Sequence, residues 1–269
     1  MSLSRDVRNW RHTDGGVKLF LTNTEHRAMT FATSPQVGAR LVPKKLADAY
    51  RTAKSVVAAR TRHFEISSQP HFDEAGIAYF REQLQRTRTY LEYGSGGSTV
   101  LANQRVQMLV SVDSDAHYLA AVRRKLTADP AALQESCRAA AKLIYANIGF
   151  TVDWGMPAYT RPTSRRINLW KNYPLAPWRY FRSIEQQPDL ILVDGRFRVA
   201  CVLESLLNLS PVGNTSILLD DYISRPHYNV VERFADLEMV GRMAVLHPRR
   251  VWDRSEARRL LEHYCSDYR

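Results

Sequence analysis

With 269 residues, 45% hydrophobic and 24% charged, the chain is long enough to bury a sizeable core and has the composition of a soluble globular protein. It holds no apolar run approaching a membrane span, its polar opening lacks an apolar signal core, and Cys137, Cys201 and Cys265 are too widely spaced for a disulfide framework or a zinc site; a reduced cytoplasmic protein is expected. The formal net charge of +11 favours contact with anions, yet the basic residues are scattered and no nucleic-acid motif accompanies them.

Residues 1–71 read as an N-terminal extension. Segments 17–22 and 29–33 are expected to pair as a hairpin, and 44–60 as a helix with Leu46, Ala47, Tyr50, Ala53, Val56 and Val57 on one face. Residues 67–72, with Pro70, read as a linker. Residues 72–85 form a helix with Ile77, Phe80 and Leu84 turned inward.

The stretch 89–100, TYLEYGSGGSTV, is the one around which the remaining chain is organised. Tyr90, Leu91 and Tyr93 are strand formers, and Gly94, Gly96 and Gly97 let a ligand approach the backbone without a β-carbon in the way. Ser98 and Thr99 suit the start of a helix over 99–104, whose free N–H groups face the ligand. A dinucleotide-binding loop places a glycine where Thr99 stands, which disfavours an NAD-linked oxidoreductase. Residues 107–113 form a second strand ending in Asp113, roughly 20 residues beyond Gly94, the interval that sets a carboxylate beside a nucleoside ribose. The alternative is that Asp113 caps the helix expected over 116–126.

Further along, 129–140 reads as a helix opened by Asp129 and Pro130, and 142–148 as a third strand ending at Gly149. Strands and helices alternating at this spacing imply parallel pairing with right-handed crossovers. Residues 150–187 break the pattern with Trp154, Tyr159, Arg161, Arg165, Arg166, Trp170, Tyr173 and Trp178, the composition of a lid or insert; 169–181 is expected to hold a helix. Its aromatic rings suit a sugar or a sulfonium and its arginines an acidic group, or both simply pack on the sheet. Strands at 189–193 and 215–219 end in Asp194 and in Asp220-Asp221. Helices are expected over 197–209, 228–235 and 255–264, and strands 237–240 and 242–246 meet across Gly241. Glu92, Asp113, Asp194, Asp220 and Asp221 thus gather at strand carboxyl ends, where open α/β sheets bind ligands.

Glu92-x-Gly94-x-Gly96-x-Ser98 resembles the acidic-x-G-x-G-x-G signature of class I methyltransferases that use S-adenosylmethionine (SAM), with Ser98 at the last glycine. The resemblance spans roughly residues 72–248, so that 72–269 is expected to be the methyltransferase-like domain. It implies an α/β fold, a Rossmann-like doubly wound seven-stranded sheet, mostly parallel, with the last strand pair antiparallel and helices on both faces. It assigns the cofactor to Glu92, Gly94, Ser95, Gly96, Gly97, Ser98, Asp113, Ser114, Gly149 and Asp194. Asp194 with Asp220 and Asp221 resembles the magnesium site of catechol-type O-methyltransferases, which implies Mg2+ on those three carboxylates. Without metal, Asp194 is the general base, with His227 or Tyr228 next in line. Arg196 and Arg198 either neutralise an acidic group of substrate or cofactor or face water. The implied activity is SAM-dependent O-methylation of a small molecule or saccharide; the alternative is an inactive domain of the same fold serving as a scaffold.

Overall fold

The computed structural model describes residues 44–128 and 140–269, all within one compact unit, Pro43–Arg269. The hairpin expected at 17–33 and nearly all of the helix expected at 129–140 lie outside the described residues.

Seven strands form one sheet: β1 (Thr89–Tyr93), β2 (Met108–Asp113), β3 (Ala140–Tyr145), β4 (Leu190–Val193), β5 (Ser216–Leu219), β6 (Ala235–Val240) and β7 (Met243–Pro248). Their order is β3-β2-β1-β4-β5-β7-β6, with parallel pairing through β5 and antiparallel pairing of β7 with both β5 and β6. Strand order reverses between β1 and β4, both of which leave the sheet at the same end. Such a reversal opens a crevice beyond the strand carboxyl ends.

Side-chain alternation assigns the two faces. Leu91, Tyr93, Val110, Val112, Ile191, Val193, Ile217 and Leu219 face one core; Tyr90, Leu109, Leu190, Leu192 and Leu218, the alternate positions, face the other. Helices α2 (Glu74–Arg86), α3 (Gly97–Asn103) and α4 (Ala116–Ala128) supply the second core through residues such as Phe80, Leu101 and Val122. Helices α5 (Ser164–Trp170), α6 (Asn172–Ser183), α7 (Arg198–Asn208) and α8 (Arg254–Tyr264) supply the first, through Trp170, Trp178, Val202 and Ala257. Both sheet faces are covered, as near-continuous apolar strands require.

Several boundaries differ from the sequence reading. The β3 ladder ends at Tyr145, although Ala146 and Ile148 stay buried beyond it. Residues 226–233 wind as a 3₁₀ helix (Pro226–Arg233) opened by Pro226. Segment 67–72 is no linker: Pro70 and Phe72 are buried, and the Gln69–Pro70 backbone is seated against Gly97. The first helix, α1 (Lys44–Thr61), leaves Tyr50 and Val57 of its expected apolar face exposed. No described helix is long and apolar enough to cross a membrane.

Candidate functional site

The β1 turn is held by a buried carboxylate. Glu92 accepts hydrogen bonds from Ser98 Oγ (2.7 Å), Tyr90 Oη (3.0 Å) and Thr99 Oγ1, while Thr99 Oγ1 in turn accepts from the Gly96 N–H at 2.7 Å. This explains threonine where a dinucleotide loop has glycine: its hydroxyl relays the turn to Glu92. Burial pushes the Glu92 carboxyl up, and the surrounding hydroxyls oppose that shift.

The glycines serve the chain's own packing more than the sequence predicted. A β-carbon on Gly97 would stand 2.0 Å from the Gln69 carbonyl oxygen, one on Gly94 2.8 Å from Gly195 Cα, and one on Gly195 2.1 Å from Tyr173 Oη. Of the predicted site glycines, Gly96 and Gly149 face freer space: the former would meet Tyr118 Oη at 3.3 Å, and the latter, at φ +99°, nothing within 4 Å.

Asp113 lies at the end of β2, nearly buried, with Oδ2 accepting from the Ser95 N–H at 3.0 Å and Oδ1 from the Asp115 N–H at 2.8 Å. It does not cap α4. Asp115 does so, accepting from His117 N (2.8 Å) and Tyr118 N (3.0 Å). Desolvation raises the Asp113 carboxyl to about 7 against the bonds from those backbone N–H groups. Beside it Ser114, Asp115, Tyr145, Gly149, Phe150 and Thr151 line a cavity of about 60 Å³. A hairpin closes over this corner: Ser114 Oγ donates to the Gly155 carbonyl at 3.0 Å. A larger cavity, about 210 Å³, lies at the opposite end of the sheet between Leu209, Gly213, Arg249 and Trp252, away from every predicted site residue.

Asp194, Asp220 and Asp221 do converge, with carboxylate oxygens within 4.8 Å of one another. Three arginines converge with them. Arg198, only 3% exposed, reaches Asp194 Oδ1 at 2.8 Å, Asp221 Oδ2 at 3.3 Å and the Asp220 carbonyl at 2.6 Å. Arg242 grips both oxygens of Asp220 (3.0 and 2.7 Å) and approaches Asp221 Oδ1 at 3.3 Å, while Arg225 lies 3.1 Å from Asp221 Oδ2. Three positive charges balance three negative ones, and both oxygens of Asp220 and Asp221 and Oδ1 of Asp194, which a hard cation would take, already face a guanidinium; among the described residues Asp194 Oδ2 does not. Magnesium does not fit this donor set. Arg198 likewise neither faces water nor awaits a ligand.

Burial raises Asp194 to about 7, Arg198 pulling the other way and Asp220 and Asp221 adding to the rise; the 32% exposure of its side chain tempers that push. His227 Nε2 is buried without a hydrogen-bond partner among the described residues and burial lowers that ring's pKa, while the buried Tyr228 accepts from Arg225 at 3.3 Å. Of the insert's aromatics, Trp170, Tyr173 and Trp178 are core residues; Trp178 Nε1 donates to Tyr93 Oη at 2.9 Å. Trp154 and Tyr159 stay outside. Sequence reasoning missed Arg225 and Arg242, which carry no local signal, and Asp115, whose position before an amphipathic run could have marked it as the cap.

No protein-family model matches the chain, and no curated protein matches it in sequence. Solved structures do. A methyltransferase-like protein from Silicibacter pomeroyi DSS-3 is similar over 76% of this chain and 100% of its own, at 28% identity and a TM-score of 0.63. A Thermus thermophilus 16S rRNA N2 G1207 methyltransferase, in complex with AdoMet and guanosine, is similar over 66% of this chain and 43% of its own, at 16% identity and TM-score 0.39. An rRNA methylase from Streptococcus thermophilus covers 67% of this chain and 99% of its own, at 10% identity and TM-score 0.37. The expected small-molecule or saccharide partner, with nucleic acid left open but unsupported by any motif, is corrected by the last two, which are rRNA methyltransferases by name. Strand order and the likeness to the Silicibacter protein together show that the described residues form a Rossmann-like domain of the class I methyltransferase fold.

Proposed function

We propose that this chain is a SAM-dependent methyltransferase. The observation that carries the reading is Asp113: a carboxylate at the β2 end, oriented by two backbone N–H groups, beside the β1 turn and next to a cavity lined by Ser114 and Gly149. That donor set suits an adenosine ribose, whose hydroxyls donate to a carboxylate through bonds of about 1.5–3 kcal/mol each. SAM supplies an activated methyl group on a sulfonium. Ser95, Gly96 and Ser98 would border its amino-acid end, with Glu92 acting through the turn it holds. The acceptor atom we propose is oxygen, its proton taken by Asp194, whose raised pKa suits proton transfer near neutrality.

Pockets for ligands of this size measure about 300–1,000 Å³. The 60 Å³ cavity at the strand ends is smaller, so cofactor entry requires the 150–158 hairpin to move off Ser114. That closure also favours a second reading, a domain of this fold that has lost its cofactor. Calorimetric titration with SAM and with its demethylated product separates the two. Micromolar binding lost in Asp113→Ala supports the enzyme; absence of heat with either compound, in folded monodisperse protein, leaves the scaffold.

A further inference from the structure

Within the insert, one residue bears two costs without return inside the chain. Trp154 is 82% exposed, leaving a large apolar surface in water, and its backbone sits at φ +62°, a left-handed conformation rare for a bulky side chain. It is nonetheless firmly presented. Val152 N–H bonds the Met156 carbonyl (2.9 Å), Ala158 N–H bonds the Phe150 carbonyl (2.7 Å), Thr151 bridges to Pro157, and Arg62 holds neighbouring Asp153 at 3.0 Å. An exposed, strained aromatic on a braced hairpin is the form of a contact residue.

The chain next to it has matching chemistry. Tyr159, 46% exposed, carries the Arg166 guanidinium over its ring at 5.2 Å, and Arg166 also donates to the Arg161 carbonyl at 2.8 Å. Arg161 and Arg165 are exposed and make no ion pair among the described residues. The single acid between residues 150 and 170, Asp153, is already taken by Arg62. Phe150 and Tyr145 are exposed beside the small cavity at the β2 and β3 ends.

We infer that the face bearing Trp154, Tyr159, Arg161 and Arg165 docks single-stranded nucleic acid and so names the acceptor class of the proposed methyl transfer, on which the inference rests. Aromatic faces stack on any base, and cations beside them follow the phosphate backbone. An acidic peptide would use the arginines but leave the rings idle. The face adjoins Asp113 and Ser114 through the hairpin, so a docked strand lies at the cofactor end of the sheet.

Fluorescence anisotropy of the full-length protein with short labelled RNA and DNA single strands, and with an acidic peptide, tests this. Single strands bind and the peptide does not; Trp154→Ala weakens binding about tenfold, and Arg161→Ala with Arg165→Ala flattens the slope of log affinity on log salt by roughly 1.4. The RNA and DNA arms report which sugar is preferred. Unchanged strand binding in both variants, or tighter binding of the peptide, overturns the inference. SAM calorimetry on the same variants keeps the readings apart: intact SAM binding with no strand binding sinks the docking face alone, and strand binding without SAM binding sinks the enzyme alone.

Discussion

Arg242 grips Asp220 with two parallel bonds, Nε to Oδ1 at 3.0 Å and a terminal nitrogen to Oδ2 at 2.7 Å, joining the hairpin before β7 to the end of β5. Asp220 is 1% exposed while the Arg242 side chain is 39% exposed, so it is the carboxylate that depends on the pair. Arg242→Ala leaves that carboxylate buried and uncompensated. A loss of about 3 kcal/mol in unfolding free energy, read from urea denaturation, is expected; Arg242→Lys, which lacks the fork, recovers only part of it.

The same arginines bear on metal dependence. With Arg198, Arg225 and Arg242 on the three aspartates, neither excess EDTA nor added Mg2+ changes the melting temperature or any methyl transfer. Activity that disappears in chelator and returns with Mg2+ would show that these side chains rearrange to admit a cation.

Glu92 is the knot of the β1 turn. Glu92→Ala orphans the Ser98, Tyr90 and Thr99 hydroxyls in a buried place and removes the relay to the Gly96 N–H. About 3 kcal/mol of stability should go with it. Thr99→Val, which keeps shape and drops the hydroxyl, costs about 1–2 kcal/mol by the same measurement.

Cofactor binding should follow pH through Asp113. Folding raises this carboxyl from 3.8 to about 7. The folded state therefore holds a proton that the unfolded chain releases, and this group's contribution to stability falls as pH rises from about 4 to 7 and is constant above. Binding has the opposite sense, because the ionised carboxylate accepts both ribose hydroxyls. SAM affinity rises from pH 6 to pH 8, and Asp113→Asn, which cannot titrate, weakens affinity and abolishes the rise. A pH dependence retained in that variant would assign it to another group.

Gly97→Ala tests whether the turn serves the fold. Its β-carbon would meet Gln69 backbone atoms at 2.0 and 2.4 Å, and backbone cannot swing aside as a side-chain tip can. Overpacking of this kind costs about 1–3 kcal/mol. Thermal denaturation with no loss would mean that the 69–70 segment lifts freely.

Apolar runs at 89–93, 107–113, 189–193 and 215–219 were sufficient to locate the buried strands, and the glycine cluster after Glu92 to locate the turn between β1 and α3. These are local signals: a strand buried on both faces is apolar along its length, and a turn needs its glycines where it bends. The last two strands were legible too, as short runs on either side of Gly241, while their antiparallel pairing came from the resemblance to class I methyltransferases.

Which charges meet, and which rings are covered, was settled by folding. Arg242 reaches Asp220 only because β7 returns antiparallel beside β5, and Arg198 turns inward only because α7 starts where β4 ends. Trp170 and Trp154 are the same residue type in one insert, yet one is core and the other stands in water. Composition cannot separate such pairs, because electrostatic compensation and burial depend on neighbours distant in sequence. Residue order alone puts carboxylates at the strand ends; the packed chain brings arginines, in place of a cation, to answer three of them.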